Sequence, residues 1–189
     1  RSTPIKSSAA SDVYKRQVTG LNPESLQADR AITEILTRFG AKLAISEHAV
    51  IVRRGNLHGI TLDAGPVPDL IPVVSCLAAL CSGETQIENA ARLRLKESDR
   101  LQTTAALLSV LGGCVHELPD GLVILGRDRL SGGTADACGD HRIAMSAAMA
   151  ACGCEGLVTV SGSECVAKSY PAFWEDFALS LIHISEPTR

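Results

Sequence analysis

The amino-acid sequence predicts an α/β protein made of repeated βαβαββ units, and three features of its pattern carry that expectation. A helix-then-hairpin order occurs twice, about seventy residues apart, an interval that suits a repeated supersecondary unit. Each hairpin is followed by a short strand with an aspartate, I-T-L-D-A-G at 60–65 and T-A-D-A-C-G at 134–139. Each of those strands leads into an alanine-rich helix, and the alanines and serine at 146–151 suit a helix crowded on more than one face.

The elements follow in order from Val18. Asn22-Pro23-Glu24 is a helix-start signal: a capping residue, a proline suited to the first turn and an acid facing the positive helix end. Ile32, Ile35, Leu36 and Phe39 then recur at helical spacing until Gly40 stops the run. K-L-A-I-S and A-V-I-V-R-R, separated by Glu47 and His48, read as strand, tight turn and strand. In the second copy Asp99-Arg100 answers Asp29-Arg30, a helix spans 101–111, and C-V-H-E-L-P-D-G-L-V-I-L-G supplies a hairpin with a Pro-Asp-Gly turn. The alanine-rich helices start near Asp69 and near His141, and the strands T-Q-I-E-N-A and L-V-T-V-S-G follow them. Asp63 and Asp136, related by the repeat, are expected to hold turns.

Both ends depart from this pattern. Residues 1–17 are polar and aperiodic, and 179–189 are detached from the sequence before them. Both resemble translated library-adapter sequence of the kind found at the ends of reading frames assembled from environmental DNA. The expected domain therefore spans 18–178, as a fragment of a longer protein, and His183 carries no functional weight.

The chain of 189 residues, 46% hydrophobic, is long enough for one sizeable domain or two small ones. A formal net charge of -3 provides no global basic field for nucleic acid or anionic lipid, so anion recognition must be local. No apolar run reaches the ~18 to 20 residues that span a bilayer, and no signal-peptide-like segment follows Arg1 and Lys6. The seven cysteines form no C-x-x-C pair, which indicates neither a zinc site nor a disulfide framework. They read as small buried residues in a reducing compartment, and a cytoplasmic protein is expected.

Charge concentrates instead in R-L-K-E-S-D-R-L at 94–101, where five of eight side chains are ionisable. Basic residues fall at three expected strand-to-helix junctions: Lys96 and Arg100 here, Arg142 in D-H-R-I-A-M, and Lys168 in E-C-V-A-K-S-Y-P. Unpaired amides at a helix start are partly positive, so an added cation there opposes the helix dipole and favours a bound anion.

The runs R-L-R-L-K-E-S-D-R-L, G-D-H-R-I-A-M and E-C-V-A-K-S-Y-P, in this order and spacing, resemble the C-terminal half of the 5-enolpyruvylshikimate-3-phosphate synthases, over essentially all of 18–178. The resemblance implies an inside-out α/β barrel of two lobes, each of three βαβαββ units, of which this chain holds most of one. It implies enolpyruvyl transfer from phosphoenolpyruvate to the 5-hydroxyl of shikimate 3-phosphate, with release of phosphate and with no metal or organic cofactor. By motif, Arg100, Arg142 and Lys168 would grip phosphoenolpyruvate, while Lys96 and Asp69 would contact shikimate 3-phosphate. Asp69 would take the proton of the attacking hydroxyl and Glu97 would deliver one to the methylene carbon. Arg92 stands where some members of the family carry asparagine for the shikimate side, and is the remaining expected contact. The missing N-terminal lobe of the same parent chain would be the partner.

Simpler readings stand beside these. Glu97 could be an acid favoured by the helix dipole, and Asp69 could cap the following helix. Arg142 could be a solvated charge, Lys168 a surface lysine, and His141 is expected to be a satisfied core histidine. Two other functions compete: an enolpyruvyl transferase acting on UDP-N-acetylglucosamine, and a non-catalytic repeat domain that binds an anionic metabolite or a protein.

Overall fold

A computed structural model of the chain describes residues 2–5, 15–22, 24–47 and 49–185. Its clearest feature is one complete unit between two halves. Strand β5 (Thr61–Asp63) leads through a 3-10 turn into α2 (Ile71–Ala78), then β6 (Glu84–Glu88), α3 (Arg100–Val110), β7 (Cys114–Leu118) and β8 (Gly121–Leu125). These strands form a sheet in the order β5-β6-β8-β7, with β5 parallel to β6 and the other pairs antiparallel.

Before the complete unit lies the second half of another: β2 (Lys15–Thr19), α1 (Ile32–Arg38), β3 (Lys42–Ile45) and β4 (Ala49–Arg53). Its antiparallel order β2-β4-β3 matches β6-β8-β7. After the complete unit comes the first half of a third: β9 (Gly133–Asp136), α4 (His141–Ala151) and β10 (Val158–Ser161), with β9 parallel to β10 as β5 is to β6. The helix α5 (Phe173–Ser185) then takes the place of α1 and α3 in the order. Asp63 and Asp136 end equivalent strands and do equivalent work: Asp63 accepts from the Gly65 amide at 2.9 Å, Asp136 from the Cys138 amide at 2.8 Å.

The helices lie inside and the sheets outside. Helices α2, α3 and α4 pack on one another, and Ile71, Leu101, Leu108, Ile143, Ala144 and Ala147 are each 0% exposed. Burying each large aliphatic side chain stabilises the fold by roughly 1.5 to 3 kcal/mol relative to leaving it in water. The small residues of α4 let two layers approach it at once, so Ala148 and Ala150 are buried as fully as the leucines. In β6 exposure alternates, with Thr85 and Ile87 inward, as a sheet with one dry face requires.

Several sequence expectations change here. The first helix does not start at Asn22-Pro23-Glu24: Asn22 Oδ1 accepts from the Glu24 amide at 2.9 Å in a local turn, and α1 begins at Ile32 after a 3-10 turn at Ala28–Ala31. Pro23 and His48 lie outside the described residues, as do residues 6–14 and 186–189 of the two ends. The ends are not wholly separate from the fold. Strand β1 (Ser2–Ile5) pairs antiparallel with β10, β2 begins at Lys15, and α5 continues through Ser185. Strand pairing uses backbone groups alone, so it needs no side-chain pattern for a reader to see. Of the cysteines, Cys76, Cys81 and Cys154 are buried, but Cys114, Cys138 and Cys152 are exposed. Burial pushes the Cys76 thiol up to about 12 and the Cys81 thiol up to about 11, which leaves both unreactive near neutrality.

Candidate active site

Four sequence-distant segments meet where α3 and α4 begin. Helix α4 opens on Asp140, whose Oδ1 accepts from the Arg142 amide at 2.9 Å and so satisfies one unpaired donor of the first turn. Helix α3 opens on Arg100, which is 2% exposed, beside an Asp140 that is 0% exposed. The two form a fork: Arg100 Nε donates to Asp140 Oδ2 at 2.7 Å and Nη2 to Oδ1 at 3.2 Å. Ser98 Oγ adds a bond to Asp140 Oδ2 at 3.1 Å. A buried charge persists only when paired and hydrogen-bonded in this way.

Asp69, in the 3-10 turn before α2, does not cap that helix with its side chain. It receives three cations instead. Arg100 Nη1 donates to Oδ1 at 2.6 Å, Lys96 Nζ lies 3.3 Å from the same oxygen, and Arg142 Nη2 donates to Oδ2 at 3.2 Å. Arg142 Nη1 also donates to the Asp69 carbonyl at 3.2 Å. Burial pushes the Asp69 carboxyl up, but Arg142, Lys96 and Arg100 together outweigh it and hold the group below the usual carboxylate range. Asp140 follows the same balance, burial raising it and the Arg100 fork lowering it further.

Glu97 faces the other side of Arg100. Lys168 Nζ donates to its Oε1 at 3.0 Å, and Arg100 Nη2 stands 3.6 Å from Oε2. His141 Nδ1 lies 2.8 Å from Oε2, at ion-pair distance although off the line of a hydrogen bond. The cap of α3 is Asp99, which accepts from the Gln102 amide at 3.1 Å.

The structure therefore brings Asp69, Lys96, Glu97, Arg100, Arg142 and Lys168 into one continuous network. Arg92 stays outside it: its side chain is exposed and no described contact joins it to the cluster. Two positions differ from the expected junctions. Arg100 and Arg142 do sit in helix first turns, but Lys168 ends the 3-10 turn Ser163–Lys168, and Lys96 directly follows the 3-10 turn Ala91–Leu95. These lysines occupy equivalent places in consecutive repeats.

Asp140, Ser98 and His141 belong to the site although sequence reading passed over the first two and made the third structural. Asp140 was legible as a helix cap before H-R-I-A-M; its pairing with Arg100, forty residues away in the chain, was not. Asp29, 3.9 Å from Arg142, marks the margin of the cluster. There a separate groove of about 590 Å³ begins, running between α1 and the β2-β4-β3 sheet past Leu21, Ser25 and Ile45.

The exposures indicate what the network can do. Asp140 is sealed, whereas the Asp69 and Glu97 side chains are 34% and 32% exposed. Asp140 is thus the permanent partner of Arg100, and Asp69 and Glu97 are partners that an incoming anion can replace. Glu97, Asp140 and His141 also place one ligand atom each within 4.8 Å of one another, the spacing of a metal site. Arg100 and Lys168 already neutralise those carboxylates, and their charge opposes a divalent cation there. The donor set suits a small anion with more than one negative charge.

Fold and site together define a class: an α/β repeat lobe, helices enclosed by sheets, with two arginines at helix starts and two lysines at the ends of 3-10 turns, a donor set suited to a small polyanion. The comparisons agree with that class and narrow it. The family model for EPSP synthase (3-phosphoshikimate 1-carboxyvinyltransferase) matches residues 7–177. A 3-phosphoshikimate 1-carboxyvinyltransferase of Clostridium acetobutylicum is 51% identical over 82% of this chain and 36% of its own length. One of Clostridium novyi is 45% identical over 83% of this chain and 36% of its own. The solved EPSP synthase of Acinetobacter baumannii superposes with a TM-score of 0.76 and 31% identity, covering 88% of this chain and 41% of that one. The chain belongs to the EPSP synthase family, and it spans well under half the length of these relatives.

Proposed function

We propose that this chain is the substrate-gripping part of one lobe of an enzyme that transfers the enolpyruvyl group of phosphoenolpyruvate to the 5-hydroxyl of shikimate 3-phosphate. The observation that carries the reading is the convergence of three separate motifs, Asp140 of one meeting Arg100 and Lys168 of another meeting Glu97 in the third. Forked guanidinium donors from Arg100 and Arg142, with Lys168 as a point charge, suit the phosphate and carboxylate of phosphoenolpyruvate. Lys96 and Asp69 are assigned to the shikimate side, as is Arg92, which is exposed beside this loop.

The chemistry follows from which carboxylates can be released. When the phosphoenolpyruvate anion takes up Arg100 and Arg142, their charge is shared away from Asp69, and its carboxylate becomes a stronger base. Asp69 then accepts the hydroxyl proton as the oxygen bonds to C2 of phosphoenolpyruvate, while Glu97, which takes a proton from solvent when Lys168 turns to the substrate, protonates C3. Expulsion of phosphate breaks the bond between C2 and the phosphate oxygen as a C3 proton returns to Glu97, which restores the double bond. Phosphate carries away the proton first held by Asp69. No step needs a metal or an organic cofactor.

The domain proper is read as 18–178, with 1–17 and 179–189 as additions of adapter origin. The family match ending at 177 supports the second boundary, and its start at 7 crosses the first. Among the described residues no helix is long and apolar enough to cross a membrane. The seven cysteines are free, which suits a reducing compartment, and a cytoplasmic setting is proposed on that ground.

The test is a chimera in which residues 18–178 replace the equivalent segment of the Clostridium acetobutylicum relative. The chimera is expected to form enolpyruvylshikimate 3-phosphate, and the isolated chain to show no turnover, because the second lobe must supply the remaining contacts. Glu97→Gln in the chimera is expected to lower kcat about 10²- to 10⁴-fold. A well-folded chimera with no activity sinks the reading, and a near-normal Glu97→Gln rate removes Glu97 from proton transfer.

A further inference from the structure

The segment that bears Lys96 and Glu97 is poorly anchored by apolar contacts. Leu93 is 0% exposed and ends its tie to the core, Leu95 is 87% exposed, and the next residue in the core is Arg100. Between these anchors Lys96, Glu97 and Ser98 reach the charged cluster, and Arg94 crosses instead to the β7–β8 hairpin. Arg94 Nε donates to the Pro119 carbonyl at 3.0 Å and Nη2 to the Leu118 carbonyl at 2.8 Å, both at the tip of the β7–β8 hairpin. Its Nη1 donates to Glu117 Oε1 at 2.7 Å and to Asp99 Oδ2 at 2.9 Å. The same hairpin tip holds the start of the segment, since the Ala90 amide donates to the Asp120 carbonyl at 3.2 Å and the Ala91 amide to the Asp120 carboxylate.

We propose that Arg94 is a positioning residue, which clamps the Lys96–Glu97 segment to the β7–β8 hairpin and so sets those two groups at their distance from Arg100. It touches neither Asp69 nor Glu97 and acts through the backbone on either side of them. Half-exposed ion pairs contribute little stability by themselves. The value of this one lies in geometry: a planar fork bound to two carbonyls and two carboxylates fixes both the direction and the reach of its own backbone. Through Asp99 the clamp also includes the cap of α3, whose first residue is Arg100. Lysine has one donor group on a flexible stem and can satisfy only part of this set.

The R-L-K-E-S-D-R-L run thus divides by face. Arg94 turns to the hairpin and Asp99 holds it to the cap of α3, while Lys96, Glu97 and Arg100 turn to the cluster and act. The proposal rests on the transferase reading for its catalytic consequence, and its structural half stands apart from that reading. Misplacing a reacting group by about 1 Å can cost on the order of 10²-fold in rate.

Two measurements test it. On the 189-residue chain, Arg94→Ala is expected to speed amide hydrogen exchange of residues 95–98 at least about tenfold, with Arg94→Lys between it and the parent. Unchanged exchange there overturns the clamp. In the chimera, Arg94→Ala is expected to lower kcat about 10- to 100-fold with KM for either substrate within about threefold, assayed where the variant is folded. Arg94→Lys is expected to recover part of the rate, and Glu117→Gln to lose a smaller amount. A folded Arg94→Ala chimera with kcat within about twofold of its parent overturns the positioning role while leaving the transferase reading intact. If the parent chimera itself is inactive, the transferase reading fails, and the exchange measurement alone decides whether Arg94 orders the segment.

Discussion

Arg100 shows how one side chain can be both structural and available. Two of its donor atoms face the sealed Asp140 and a third faces the replaceable Asp69. Asp140→Ala would leave Arg100 buried with its fork empty and remove the α4 cap, so it is expected to destabilise the chain by about 3 to 5 kcal/mol in urea unfolding. The pH dependence has a definite sign. Asp69 and Asp140 are both held below the ordinary carboxylate range in the fold. Their contribution is full above the unfolded value of about 3.9 and is lost as pH falls through the folded values. Thermal stability is therefore expected to be flat in this respect from about pH 7 to 5 and to decline below about pH 4, with a shallower decline in Asp140→Asn. An equally steep acid decline in that variant would show that these carboxylates are not its source.

Among elements, the central sheet depends on close approach. Gly121 opens β8 beside β6, and a Cβ added there would stand 2.0 Å from the Ile87 carbonyl. Neither strand can shift without disturbing the other, because Ile87 pairs with Leu122 and both side chains are buried. Gly121→Ala is expected to destabilise the chain by about 1 to 3 kcal/mol, read as a lower urea midpoint at unchanged slope. The hairpin it would disturb is the one that anchors Arg94, so the same variant is also expected to loosen residues 95–98. Helix placement was legible where periodicity was strong, as for α1, Ile32–Arg38. It failed at Asn22, where a capping side chain made a turn of its own.

At the scale of the whole molecule, the sheets are open. Strand β2 has β4 on one side and nothing among the described strands on the other, where its counterpart β6 carries β5. Leu21 and Ile45, 48% and 60% exposed, line the groove below that sheet. Unpaired edges with apolar neighbours invite association. The isolated chain is expected to self-associate in the micromolar range by light scattering, and a monodisperse monomer at those concentrations would contradict this.

Much of the molecule was determined by local chemistry that the sequence carries openly. Period and punctuation set the repeat, Asp63 and Asp136 set matching turns, and three charged runs named the residues that meet. The tertiary structure decided what those residues do to one another. It sealed Asp140 behind Arg100, brought His141 to Glu97, left Arg92 apart, and turned Arg94 toward a hairpin instead of a ligand. Helical and strand patterns arise from neighbours a few residues apart, but an ion pair such as Arg100 with Asp140 depends on the packing of two helices, and nothing in either helix alone encodes the distance between them.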